Sequence, residues 1–138
     1  WTDSYYTTSL GKARPNGNST NYGLRGYWRP DTDSQAVPEI SAGYDISTVE
    51  GQDADTDAYF VGLTWKDTFQ ADDKIGIALG QPQTADTDTE TPFTWEAYYS
   101  YKVNDSVTVT PAIFGATDRT GTSGVDITGA VVQTTFKF

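Results

Sequence analysis

The chain has 138 residues, a formal net charge of −10, no Cys and no His. Those absences exclude disulfide frameworks, zinc–thiolate sites, imidazole bases and Ser-His-Asp triads. The acidic balance argues against nucleic-acid binding, which needs cations to neutralise phosphates. One domain's worth of chain is present. No run of about 18 apolar residues offers a transmembrane helix, although spanning strands of about 10 alternating residues would leave no such run. The chain opens on Trp1 rather than Met, so a mature product or a piece of a longer protein is expected.

Strand-like runs follow one another, separated by clusters of Gly, Pro, Asp, Ser and Thr, with no period of 3.6. The first run is Trp1 to Leu10, followed by a Gly/Asn-rich loop from Gly11 to Asn21. In the second, Tyr22, Leu24, Gly26 and Trp28 share one face, with Gly23, Arg25, Tyr27 and Arg29 on the other. The turn Pro30 to Ser34 leads to a third run in which Ile40, Ala42, Tyr44 and Ile46 alternate with Glu39, Ser41, Gly43, Asp45 and Ser47. An acidic loop from Val49 to Asp57 precedes the fourth run, where Tyr59, Val61, Leu63 and Trp65 alternate with Phe60, Gly62, Thr64 and Lys66. A short connection, Asp67 to Asp73, leads to the fifth run, carrying Ile75, Ile77 and Leu79.

A second acidic loop is expected from Gln81 to Thr91, and then a sixth run with Phe93, Trp95, Ala97, Tyr99, Tyr101 and Val103 on one side. Asn104-Asp105 reads as a tight turn before the seventh run, Val107 to Phe114. Pro111 in that run cannot donate to a ladder, so a bulge or a missing hydrogen bond is expected there. After a loop at Thr117 to Ser123, the eighth run closes the chain on Phe136-Lys137-Phe138. Its alternation breaks between Val131 and Val132, which suggests a bulge near Gly129.

The expected fold is all-β: a transmembrane antiparallel up-and-down β-barrel segment of about eight strands. Connections alternate between shorter and longer ones. On that basis 11–21, 49–57, 81–91 and 117–123 are extracellular, and 30–36, 67–73 and 104–105 periplasmic. The candidates for a pore lining are Arg25, Tyr27, Arg29, Glu39, Ser41, Asp45, Lys66, Lys74, Glu96, Tyr98, Ser100 and Lys102. Arg29, Lys66, Lys74, Lys102 and Lys137 sit beside periplasmic turns, while Glu50, Asp53, Asp55, Asp57, Asp86, Asp88 and Glu90 sit in or beside extracellular loops. A basic inner mouth and acidic outer loops would bias ion entry. Trp28 and Trp65 near one end, with Tyr59, Phe93 and Trp95 near the other, would form two interfacial girdles.

The same alternation also fits a soluble eight-stranded barrel or sandwich that holds a small apolar ligand inside. A self-closed eight-stranded membrane barrel filled by its own side chains fits as well. The acidic stretches Asp53–Asp57 and Asp86–Glu90 lack the Gly and Glu of a calcium loop and read as solvated, so no metal and no cofactor are expected. Glu39, Asp45 and Glu96 are carboxylates that a glycosidase could use, but nothing draws them into one cleft, so no enzyme activity is expected.

Several segments resemble the C-terminal half of cyanobacterial outer-membrane porins of the carbohydrate-selective, OprB-like family. They are Tyr27-Trp28-Arg29-Pro30, Pro38-Glu39-Ile40-Ser41-Ala42-Gly43-Tyr44-Asp45, Thr94-Trp95-Glu96-Ala97-Tyr98-Tyr99, Thr110-Pro111-Ala112-Ile113-Phe114 and Thr135-Phe136-Lys137-Phe138. The resemblance runs over essentially all of residues 1–138. It implies the C-terminal part of a larger barrel of about 16 strands, preceded in relatives by a cell-wall-binding domain. It further implies passive passage of inorganic ions, iron among them, and of small hydrophilic solutes such as sugars. Outer-membrane lipid is the implied surrounding and a homotrimer the implied assembly.

Overall fold

The computed structural model describes residues 18–32, 34–51, 55–119 and 121–138. The run expected at Trp1 to Leu10 and most of the loop after it lie outside the described residues. Seven strands follow: β1 Ser19–Trp28, β2 Glu39–Val49, β3 Thr56–Lys66, β4 Lys74–Ala85, β5 Phe93–Asn104, β6 Val107–Thr117 and β7 Ile127–Phe136. They form one antiparallel sheet in the order β1-β2-β3-β4-β5-β6-β7, each strand paired with its neighbours in sequence. The sheet is open: among the described residues β1 and β7 do not pair with each other. No helix of the described residues is long and apolar enough to cross a membrane.

Register turns local alternation into a continuous surface. Trp28 faces Ile40, Ile40 faces Leu63, Leu63 faces Ile77, Ile77 faces Ala97, Ala97 faces Ile113 and Ile113 faces Ala130. Partners directly opposite in a ladder share a face, so the apolar set of every strand lands on the same side of the sheet. Nothing among the described residues covers that side. Leu24 is 75%, Tyr44 46% and Ile77 44% exposed, while Leu63 and Tyr99 are half-buried. Among the described residues the buried hydrophobic core is Val49, Ala58, Ala85 and Ala116, which is no sandwich core.

Irregularities in the ladder fall partly where the sequence placed them and partly elsewhere. β4 runs on to Ala85 instead of ending at Gly80. A bulge carries it past Pro82: between the pairs Asp57–Thr84 and Tyr59–Gln81, Ala58 alone faces Pro82 and Gln83. A bulge tolerates the missing amide of proline, so the ladder resumes where a loop was expected. The bulge expected near Gly129 is not there, because β6 and β7 pair without a shift from Val107–Phe136 to Ala116–Ile127. Val131 simply falls on the polar face, and Val125 belongs to the loop. Pro111 interrupts the β5–β6 ladder, which skips from Tyr98–Ala112 to Tyr101–Val109 without changing register.

The connections at one end are 29–38, 67–73 and 105–106; those at the other are 50–55, 86–92 and 118–126. Their lengths do not separate the two ends as expected. Pro30 and Pro38 keep 29–38 out of the ladder, and the extension of β4 shortens the loop after it. The first end carries Lys66, Lys74, Lys102 and Lys137 and is called the lysine end below; the other is the acidic end.

Candidate functional site

The polar face of the sheet gathers the expected lining residues. Tyr27 opposes Ser41, Glu39 opposes Thr64, Lys66 opposes Lys74, Lys74 opposes Ser100, Gly76 opposes Tyr98 and Ala78 opposes Glu96. Arg25, Asp45 and Lys102 share that side by strand parity, and Arg29 follows the end of β1.

Arg25 and Asp45 make a two-pronged pair, Nη1 donating to Oδ1 at 2.8 Å and Nη2 to Oδ2 at 2.6 Å. The guanidinium also lies 5.6 Å from the Phe60 ring centroid. Gly43 makes this possible, since a Cβ there would run into both the Phe60 ring and the Arg25 stem. A planar fork that is both paired and stacked is held far more firmly than a lysine would be.

Toward the lysine end, Glu39 Oε1 takes Arg29 Nε and Lys66 Nζ, each at 2.6 Å. Arg29 also donates to the Tyr27 hydroxyl at 3.2 Å. Lys102 bridges Asp72 at 3.2 Å and Asp105 at 3.0 Å. The hydrogen bond from Lys102 holds the Asp105 carboxyl below its ordinary pKa. A recess of about 350 Å³ between them is lined by Lys66, Lys74, Ser100, Lys102, Thr108 and Lys137, together with Asp67, Asp72, Asp73 and Asp105. Four lysines gather at this end and carboxylates from the turns gather with them; Lys66 and Lys102 are ion-paired, whereas Lys74 and Lys137 have no ion-pair partner among the described residues.

Asp73 is fully buried at this end. Its Oδ1 accepts the Thr68 amide at 2.7 Å; its Oδ2 accepts the amides of Phe69 and Gln70 and the Tyr99 hydroxyl, each at 3.0 Å. Burial opposes ionisation, yet the amides of Phe69, Thr68 and Gln70 and the Tyr99 hydroxyl outweigh it and hold the carboxyl below its ordinary value. The turn is braced again by Asp67, whose carboxylate accepts the Asp72 amide at 2.7 Å. Sequence reading passed over this network. Its signal was the spacing of Asp67, Asp72 and Asp73, since aspartates in turns cap nearby amides.

The remaining lining candidates have local partners or none. Ser41 Oγ sits 3.5 Å from the Gly62 carbonyl, Ser100 Oγ is 2.9 Å from Thr110 Oγ1, and Tyr98 lies over Gly76. Glu96 is exposed and has no ion pair or hydrogen-bond partner among the described residues. Near the acidic end the Gln83 amide donates to Thr56 Oγ1 at 2.6 Å and to Ser47 Oγ at 3.4 Å. The bulge that aims Gln83 onto the polar face was not anticipated. The three carboxylates considered for hydrolysis are separated in role: Glu39 and Asp45 are bound up in ion pairs and Glu96 stands alone. No group of three metal-capable side chains occurs among the described residues.

The opposite face is graded along the strands. Tyr22, Tyr44, Tyr59, Phe93 and Trp95 lie toward the acidic end, and Trp28, Trp65, Tyr99, Tyr101 and Phe136 toward the lysine end. Next to them the register lays an aliphatic band of two rows, Ile40, Leu63, Ile77 and Ile113 in one and Ala42, Val61 and Leu79 in the other, the second row running on to Trp95, while Leu24 stands opposite Tyr44. At the acidic end the band stops at a polar pair, the Gln81 amide on Asp57 Oδ1 at 3.1 Å. At the lysine end Phe69 meets Tyr99 edge-on at 5.9 Å and Tyr99 stacks on Tyr101 at 5.7 Å.

No family model matches the chain, and no solved structure matches it. It is similar to an uncharacterized protein, alr4550, of Nostoc sp. (strain PCC 7120), with 31% identity over 128 residues. The aligned region is 88% of this chain and 22% of that protein, so the chain spans about a fifth of its relative's length.

Proposed function

We propose that the chain is part of an outer-membrane porin, a passive diffusion channel for inorganic ions and small hydrophilic solutes. In this reading the sheet is an arc of a larger barrel, lipid covers its aliphatic face and water fills the space before its polar face.

The observation that carries the reading is the two-sidedness of the sheet. Across seven strands the register keeps every apolar set on one side and leaves it uncovered. Apolar surface of that extent is unstable against water and marks contact with lipid or protein. Strands of 10 to 12 residues match the length a tilted strand needs to cross a bilayer. The aromatic rims and the polar pair at Asp57 and Gln81 fit the two interfaces. On the other face, charged groups far from any core are at ease only in water. A soluble barrel holding an apolar ligand would need the reverse arrangement, with the aliphatic band enclosed.

The test is reconstitution of the intact protein into a planar lipid bilayer. Discrete conductance steps that scale with salt concentration are expected, from material that needs detergent for extraction. A protein recovered in the soluble fraction that gives no steps would overturn the reading.

A further inference from the structure

Once the pairings on the polar face are drawn, its charges no longer contribute equally. We propose that Glu96 is a specificity-determining residue of the channel, a wall charge that biases it toward cations over anions. This rests on the porin reading and deepens it.

Among the described residues, the charges set inside the strands of the polar face, away from the strand ends, are Arg25, Asp45 and Glu96. Arg25 and Asp45 cancel through two short hydrogen bonds. That leaves Glu96. It stands opposite Ala78 on one side and Phe114 on the other, and neither can pair with it. It opens onto a recess of about 470 Å³ that it shares with Arg25, Asp45, Phe60 and Gln83. Gln83 is already turned toward Thr56 and Ser47, and the Arg25 fork toward Asp45. No described cation therefore offsets the Glu96 carboxylate.

The charges at the two ends act differently. At the lysine end Glu39 answers Lys66 and Arg29, and Asp72 and Asp105 answer Lys102. Lys74 and Lys137 have no ion-pair partner among the described residues, but they line one recess together with Asp67 and Asp73. At the acidic end the carboxylates of the loops stand in bulk water, where salt at 0.1 M screens them within about 10 Å. A charge on the wall of a water-filled channel has low-dielectric material behind it, which focuses its field on passing ions. Its attraction for a small hydrated cation is felt by every ion that crosses.

The experiment measures the zero-current potential of the intact protein in a planar bilayer under a KCl gradient, for the native chain, Glu96→Gln, Glu96→Asp and Glu90→Gln. The native channel is expected to prefer potassium over chloride, and Glu96→Gln to reduce that permeability ratio about two- to fivefold. Glu96→Asp, which keeps the charge, and Glu90→Gln, which changes an exposed loop position, should retain the native ratio. Because Glu96 has no partner among the described residues to lose, Glu96→Gln should still fold, insert and conduct. A conducting Glu96→Gln channel with an unchanged ratio overturns the assignment and leaves the porin reading standing. If the native protein forms no channel, both fall.

Discussion

The ring of Tyr98 on β5 lies directly over Gly76 on β4, filling the place where a Cβ would stand. The two residues are register partners, and a Cβ built at position 76 would fall inside the tyrosine ring. The same device recurs across the polar face, with Phe60 over Gly43 and Phe114 over Gly129. Each ring shields a glycine backbone from water and locks two neighbouring strands into one pairing.

Gly76→Ala should destabilise the sheet by about 1–3 kcal/mol through overpacking. The half-buried ring must shift to admit the methyl group. Combining it with Tyr98→Ala should give less than the sum of the two losses, because the clash is gone. Thermal unfolding of detergent-solubilised protein, followed by electrophoretic mobility, reads both. Strictly additive losses would show that ring and glycine act independently.

Asp73 predicts an acid limit to stability. Its carboxyl is held below its ordinary value, so the ionised form binds the turn better than the protonated form does. The resulting stability is fully present above the unfolded-state value of about 3.9. It is lost as pH falls through the lower folded-state value. The unfolding midpoint should decline below about pH 4 in the native chain, while Asp73→Asn should start lower and show a shallower decline. Parallel pH profiles for the two proteins would remove Asp73 from the explanation.

Adjacent residues of β3 report which face meets water. The chain has no native thiol to interfere, so Thr64→Cys and Leu63→Cys can be compared in lipid vesicles. A membrane-impermeant maleimide should label Thr64→Cys and spare Leu63→Cys, since alternate strand residues point to opposite sides. The reverse pattern would turn the sheet inside out and end the proposed orientation.

Glu39 and Lys66 should be energetically coupled. A double-alanine cycle is expected to give about 0.5–1 kcal/mol, the upper range for partly exposed pairs. The Glu39 side chain is only 13% exposed, which lessens solvent screening. The Lys102–Asp105 pair should couple more weakly, because the Asp105 side chain is almost wholly in water. Equal coupling in the two pairs would mean that burial at Glu39 has no energetic consequence.

Much of this architecture is written in residue order. Alternation such as Ile40, Ala42, Tyr44 or Tyr59, Val61, Leu63 is enough to mark a strand and its apolar side, because strand side chains alternate with a period of two that needs no distant partner. The strands containing those runs occur where that rule puts them. The limits of the rule show at Pro82 and Val131. A bulge depends on what the neighbouring strand can accommodate, so nothing near Pro82 in sequence announces that β4 continues to Ala85. Around Val131 an apparent break in alternation needed no bulge, since the edge strand β7 tolerates an apolar residue on its polar face.

Residue order alone thus determined that this is a chain of alternating strands, without thiol, imidazole or membrane-crossing helix, and which side chains share a side within each strand. Tertiary structure decided which charges survive. Lys66 and Glu39 are far apart in the chain, as are Lys102 and Asp72, and only the register of neighbouring strands brings opposite charges within 2.6 and 3.2 Å. Coulomb attraction depends on distance through space, so the electrostatic character of the face became readable only when the strands were laid side by side, leaving Glu96 without an answering charge.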